Sequence, residues 1–185
     1  MAENSNLPIG IVINKIELSK NESQLNDDFE HYRKIGYDVH TMSVKSDLNV
    51  ISFKEKLVNK SHIFLGQSGV GKSSLINALI PDLELRVNEI SIKSKLGKHT
   101  TTNTTIYHIP SGGDLIDSPG VREFQLDNLS EEQIVRGFRE FKALSDQCRF
   151  RNCKHINEPD CAIKMALENG EINSNRYESY LNILA

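Results

Sequence analysis

This sequence lacks what a membrane protein, a secreted protein or a broadly polyanion-binding protein would need. No apolar run approaches the ~20 residues of a bilayer-spanning helix. The N-terminus has no signal-peptide core. Positive charge is not in excess: 22 Lys and Arg stand against 25 Asp and Glu, for a net charge of −3. Wholesale electrostatic binding to nucleic acid is therefore excluded, and any such contact must be a local patch. There is no internal repeat and no low-complexity tract, which excludes a repeat array. Cysteine is scarce, and Cys148, Cys153 and Cys161 crowd into one short segment. An odd number of cysteines in a chain of cytosolic character argues for metal rather than disulfides. The expected compartment is the cytoplasm. With 185 residues, the chain can build one domain with a real core plus a small appendage.

What is present centres on Gly66-Gln67-Ser68-Gly69-Val70-Gly71-Lys72-Ser73-Ser74. It fits the phosphate-loop pattern G-x-x-x-x-G-K-[ST]. The apolar stretch His62 to Leu65 before it reads as a buried parallel strand. Leu75 to Ile80 after it carries an apolar helical face, which Pro81 stops. Gly66, Gly69 and Gly71 let the backbone curl its N–H groups toward phosphate oxygens. Lys72 can reach the outer phosphates, the Ser73 hydroxyl can hold Mg²⁺, and the helix start favours anions.

Ahead of the loop, Ile9 to Ile13 reads as a strand that ends on Asn14-Lys15-Ile16-Glu17. This tetrad is close to N-K-x-D, the guanine-recognition element of GTPases. Its acid accepts from the guanine N1–H and exocyclic amine, a pair that adenine does not offer. Glu22 to Ile35 reads as a helix with Leu25, Phe29 and Tyr32 on one face, closed by Gly36. Tyr37 to Met42 is a second strand, followed by Ser43-Val44-Lys45, which is like the short base-touching loop of GTPases. Val50, Phe53 and Leu57 mark a further helix. Ordinary GTPases run from phosphate loop to D-x-x-G to N-K-x-D. Here the base-reading segment comes first, so the order is circularly permuted.

After Pro81, Asn88 to Thr105 is polar and rich in Ser, Thr and Lys, which suits a mobile loop. A threonine there could complete Mg²⁺ coordination, with Thr100, Thr101 and Thr102 as candidates. Ser111-Gly112-Gly113 signals a hairpin turn between two short strands. The second strand ends in Asp117-Ser118-Pro119-Gly120, a D-x-x-G in which Asp117 can face Mg²⁺ through water and the Gly120 N–H can sense the γ-phosphate. Ras-type enzymes place a water-orienting glutamine next, but here that position is Val121. His99, in the polar loop, is the in-chain candidate to align water instead.

Ser130-Glu131-Glu132-Gln133 is a capping box, opening a helix with Ile134, Phe138 and Phe141 inward. Cys148-x₄-Cys153-x-His155-x₅-Cys161 follows, a ligand set that suits tetrahedral zinc. Arg149, Phe150, Arg151 and Lys154 make this segment a basic, aromatic-bearing knob. Two short helices complete the chain, the last with Tyr177, Leu181 and Leu184 on one face.

In combination, NKIE, GQSGVGKSS, GKHTTT, LIDSPGVREF and the Cys₃His run resemble the RsgA family of ribosome small-subunit-dependent GTPases, over nearly the whole chain. The resemblance implies an α/β fold, a circularly permuted phosphate-loop GTPase three-layer sandwich over residues 1–128. It implies a zinc-binding helical domain over residues 129–185. It also implies GTP hydrolysis to GDP with Mg²⁺, stimulated by the small ribosomal subunit during its late maturation, and binding to its rRNA. A monomer is expected. The competing reading is a non-catalytic GTP-binding module with an RNA-binding zinc knob. Eight residues precede Ile9, too few for the strand of about five and the helix of about ten residues that a permuted sheet needs there. The domain is thus expected to be N-terminally shortened. One central strand, between those ending at Asn14 and Gly66, is then missing, and the family's N-terminal OB-fold domain has no counterpart.

Glu17 stands where the family usually has Asp and is one methylene longer. Glu17→Asp is expected to tighten GTP binding or to improve discrimination against ATP, measured by competition titration. No change in either quantity would mean that the longer acid is accommodated without cost.

Overall fold

The computed structural model describes residues 2–5, 7–19, 29–83, 105–117 and 129–184. They fall into two compact units. One gathers Met1–Gly10, Asp27–Asp38 and Gln125–Ala185, and the other gathers Ile11–Asn26 and Val39–Phe124.

Strands β1 (Gly10–Ile13) and β2 (Asp38–Thr41), which belong to the second unit except for their first residues, pair as a two-stranded sheet. Strands β3 (Ser61–Ile63), β4 (Thr105–His108) and β5 (Asp114–Asp117) form a second sheet in the order β3-β5-β4. β3 runs parallel to β5, and β4 antiparallel to it. Among the described residues, β1 and β3 thus belong to separate sheets, where the sequence places a break. Helices α1 (Val50–Lys56) and α2 (Lys72–Leu79) bury Phe53, Leu75, Ile76 and Leu79 against Met42, Ile109 and Leu115.

The expectation of a fully buried strand before the phosphate loop does not hold. Ile63 is 43% exposed and lies in one register row with Ile116 of β5 and Ile106 of β4, itself 56% exposed. Alternation explains this, because Leu115 points to the helices at 1% exposure and Ile116 to the opposite face. The hairpin signal at residues 111–113 is realised. Ile109 N–H donates to Gly113 O (2.9 Å), and Asp114 N–H donates to Lys60 O (2.9 Å).

In the first unit, helix α3 (Glu131–Arg136) opens with the expected capping box. Gln133 N–H donates to Ser130 Oγ (3.2 Å), and Ser130 N–H donates to Gln133 Oε1 (2.9 Å). The sequence suggests one helix through Phe141, but the chain breaks after Gly137. Phe138 takes extended angles (φ −107°, ψ 106°) before α4 (Arg139–Lys142) starts. Glycine is a poor helix former, and the break lets both Phe138 and Phe141 enter one core with Ile163, Ala166, Ile172 and Tyr180, supplied largely by α5 (Ala162–Glu168) and α6 (Ser174–Leu184). Arg176 forms a nearly buried pair with Glu140 (2.7 Å) while its guanidinium lies over Phe138.

Residues 29–34 are helical and close as expected, with Gly36 at φ +91°. Tyr37 N–H reaches Tyr32 O (3.0 Å) and Gly36 N–H reaches Arg33 O (2.9 Å), the pairing of a Schellman motif. Leu25 lies outside the described residues. Polar composition suggests a frayed N-terminus, yet Ala2–Ser5 is a 3-10 turn. There Glu3 pairs with Arg139 (2.9 Å), and Asn4 donates to Gln133 O (3.0 Å).

Gly113 sits at φ +99°, and a Cβ there would meet Leu57 O at 2.5 Å and Lys60 O at 2.8 Å. At Gly112 the nearest contact would be the Asn59 side chain at 3.2 Å. Gly113→Ala is expected to lower stability by about 2 kcal/mol or more, and clearly more than Gly112→Ala, as read by urea denaturation. Equal effects would show that the backbone contact carries no weight.

Candidate functional site

The phosphate loop connects β3 to α2, as the motif requires. Gly69 and Gly71 hold φ +84° and +99°, so the backbone curls back toward the helix start. Lys72 opens the helix and folds over the loop. Its Nζ donates to Gly66 O and to Gln67 O, the latter at 2.7 Å. Ser73 and Ser74 occupy the first turn of α2, half-buried, while Gln67, Ser68 and Val70 are exposed.

The base-reading tetrad docks directly on this loop. Asn14 Nδ2 donates to Val70 O (3.1 Å), and Asn14 Oδ1 accepts from Val44 N–H (3.2 Å). Lys15, at φ +65°, donates from Nζ to Gly69 O (2.5 Å). One amide side chain thus ties together three segments far apart in sequence. It also explains why position 71 must lack a side chain, because a Cβ on Gly71 would collide with Asn14 Nδ2.

Ile16 and Glu17 lie in the 3-10 turn Ile16–Leu18. The Ser43-Val44-Lys45 stretch belongs to a tight turn closed by Ser43 N–H to Leu48 O (3.1 Å) and Leu48 N–H to Ser43 O (2.9 Å). A hydrogen bond from Ser43 holds the Glu17 carboxyl below its usual pKa, and Lys45 and Lys15 pull the same way. An ionised acid at the tetrad's end is what a guanine edge requires.

Asp117 ends β5. The parallel register of Ile63 with Ile116 sets that strand end beside the point where β3 enters the phosphate loop. His99, the threonine candidates Thr100, Thr101 and Thr102, Gly120 and Val121 lie outside the described residues.

Cys148, Cys153, His155 and Cys161 come together, with all four ligand atoms within 4.8 Å of one another. Tetrahedral bonds of zinc to sulfur and nitrogen would set edges of about 3.8 Å between sulfurs and about 3.6 Å between sulfur and nitrogen. Cys148 Sγ lies 4.0 Å from Cys161 Sγ, and His155 Nδ1 lies 3.6 Å and 3.4 Å from those two sulfurs. The donor set therefore fits the metal. Burial lowers the His155 pKa and favours the neutral ring that a ligand needs. Burial pushes the Cys153 thiol up, and the neighbouring Cys161 and Cys148 reinforce the rise. Clustered thiols of this kind ionise together only around a cation.

Sequence reasoning missed the side chains that hold this cluster's turn, namely Glu158, Tyr177 and Tyr180. Tyr177 was legible as a helix-face residue, but Tyr180, on the same face at i,i+3, is the one that is 0% exposed. An acid inside a metal-binding turn was the available signal for Glu158.

A family profile described as RsgA GTPase matches residues 1–127. The Small ribosomal subunit biogenesis GTPase RsgA of Mannheimia succiniciproducens is 44% identical over all of this chain and 53% of its own length. Its namesake in Haemophilus influenzae strain 86-028NP is 46% identical over 94% of this chain and 51% of its own. The crystal structure of YjeQ from Thermotoga maritima matches with a TM-score of 0.77 at 35% identity, covering 98% of this chain and 60% of that one. YloQ, described as a circularly permuted GTPase, matches at 0.73 and 33% identity, over 94% and 54%. The fold is thus that of a circularly permuted GTPase. The chain spans about half the length of the curated relatives it matches.

Asn14→Ala removes the tie between the phosphate loop and the Ser43–Leu48 turn. It is expected to weaken guanine nucleotide binding by about 1–3 kcal/mol, read by calorimetric titration with GDP. Undiminished affinity would show that the loop holds its shape without Asn14.

Proposed function

The chain belongs to the RsgA GTPase family, and from that premise we propose that it binds GTP and hydrolyses it to GDP during late maturation of the small ribosomal subunit, which stimulates the reaction. The observation that carries this reading is the docking of Asn14 and Lys15 on Val70 and Gly69. It joins a base-reading element to a phosphate loop in permuted order.

In this reading Glu17 accepts from the guanine edge, and Gly66 to Gly71 present backbone N–H groups to the phosphates. Lys72 exchanges its loop carbonyls for phosphate oxygens. Mg²⁺ bound with the nucleotide would offset charge on the outer phosphates. Ser73 would hold it directly, with Asp117 and Thr101 as further partners, and Gly120 would sense the γ-phosphate. Val121 cannot orient water, so His99 is assigned that task.

Nucleotide chemistry is assigned to residues 1–128 and one structural zinc to residues 129–185, held by Cys148, Cys153, His155 and Cys161. The exposed Arg149, Phe150, Arg151 and Lys154 around that cluster would contact rRNA. Among the described residues no helix is long and apolar enough to cross a membrane, and a cytoplasmic monomer is the proposed setting.

Single-turnover hydrolysis of GTP with and without purified small subunits tests the reading. Stimulated turnover is expected, with His99→Ala lowering kcat while leaving GTP affinity near the parent value. Tight GTP binding with no hydrolysis under either condition would instead favour a non-catalytic binding module.

A further inference from the structure

The turn between Cys153 and Cys161 is held by three side chains that are not ligands. The Glu158 carboxylate accepts from the backbone N–H of Lys154 (2.8 Å) through one oxygen. Its other oxygen accepts from Ile156 (3.0 Å) and Asn157 (3.1 Å). The Tyr177 hydroxyl donates to His155 O (2.6 Å), and the Tyr180 hydroxyl donates to Lys154 O (2.7 Å).

Inside this frame His155 sits at φ +57° and is only 2% exposed. A non-glycine residue in the left-handed region relaxes unless its surroundings hold it there. The phenol hydroxyls fix the carbonyl side of the turn. On the N–H side Glu158 gathers three groups, those of Lys154, Ile156 and Asn157, and a carboxylate suits that task because both of its oxygens accept. An amide in its place would turn one donor toward another.

We infer that Glu158 is a positioning residue for the metal centre: by gathering the N–H groups of Lys154, Ile156 and Asn157 it curves the turn so that His155 Nδ1 meets the cysteine sulfurs. This rests on the metal reading proposed above. The inference concerns one ligand, His155, because the ring follows from the turn's curvature. Cys148 lies outside that turn, and Cys161 is the N-cap of α5.

The test uses the full chain with Glu158→Gln, Glu158→Ala, His155→Ala and the Glu158→Ala/His155→Ala double variant. Binding of a fluorescent GDP analogue checks that each chain is otherwise intact. Zinc affinity is measured by competition with a chromophoric chelator, and coordination by the ligand-field spectrum of the Co²⁺-loaded chain. Glu158→Gln is expected to weaken zinc about 10- to 100-fold and to move the Co²⁺ spectrum toward that of His155→Ala. Glu158→Ala should add little once His155 is gone, because it acts through that ligand. Losses that simply add in the double variant would overturn the inference and leave Glu158 as general support for the fold. Unchanged zinc affinity and Co²⁺ spectrum in Glu158→Gln would overturn it too. A parent chain that takes up no stoichiometric zinc would remove the metal reading itself, and the inference with it.

Discussion

The candidate nucleotide site depends on one amide side chain. Asn14 donates to the phosphate loop and accepts from the turn that follows β2. Each bond is modest in net free energy, about 1 kcal/mol, but together they set the spacing between where a base would sit and where phosphates would sit. Lys15 adds a second tie through Gly69 O. Among the loop glycines Gly71 answers to this geometry, since it sits at φ +99° and a Cβ there would collide with the Asn14 side chain. Permutation matters little here, because these contacts depend on which strands end near the loop and not on the order in which the chain visits them.

The unit that carries the Cys₃His cluster is organised by different means. Its core has an aromatic centre, with Phe138, Phe141 and Tyr180 in mutual edge and stacked contacts. The sulfur and imidazole ligands sit at the margin of that core, Cys161 and His155 each 2% exposed. Buried polar groups need partners, and here the phenol hydroxyls supply them to the turn while their rings fill the core. Residues 29–38 belong to the same unit as the C-terminal helices, so Tyr32 and Tyr37 meet Arg176 and Arg139 across more than a hundred positions of chain.

The sequence was most readable where chemistry needs neighbouring residues. The phosphate loop, the tetrad at Asn14, the capping box at Ser130, the glycine closure at Gly36 and the Cys₃His spacing are all local, and the described structure realises each of them. It was least readable where packing chose among equal local options. The apolar period runs unbroken through Gly137, so the turn at Phe138 shows only once both rings have a common core. The apolar Ile63 reads as buried strand, yet the strand period turns it to the outer face. Tyr180 and Tyr177 share a helix face, and which of them is deepest depends on Phe141, nearly forty positions earlier. Glu158 showed only as an acid inside the cysteine-rich turn, because its partners are main-chain groups of a turn whose shape the sequence does not announce.

The tie at Asn14 also sets an order of events in time. Its two partners lie 30 and 56 positions further along the chain. A chain made from its N-terminus releases the base-reading tetrad first, and the tetrad waits until β2, α1, β3 and the loop have followed. Loop closure over such a span carries an entropy cost that local contacts cannot offset in advance. The Ser43–Leu48 turn, closed by its own two backbone bonds, can form early and hold Val44 ready. The tie therefore cannot close before residue 70 has been made. Until then the side chain that spans the two segments has only its nearer partner, Val44, to accept from.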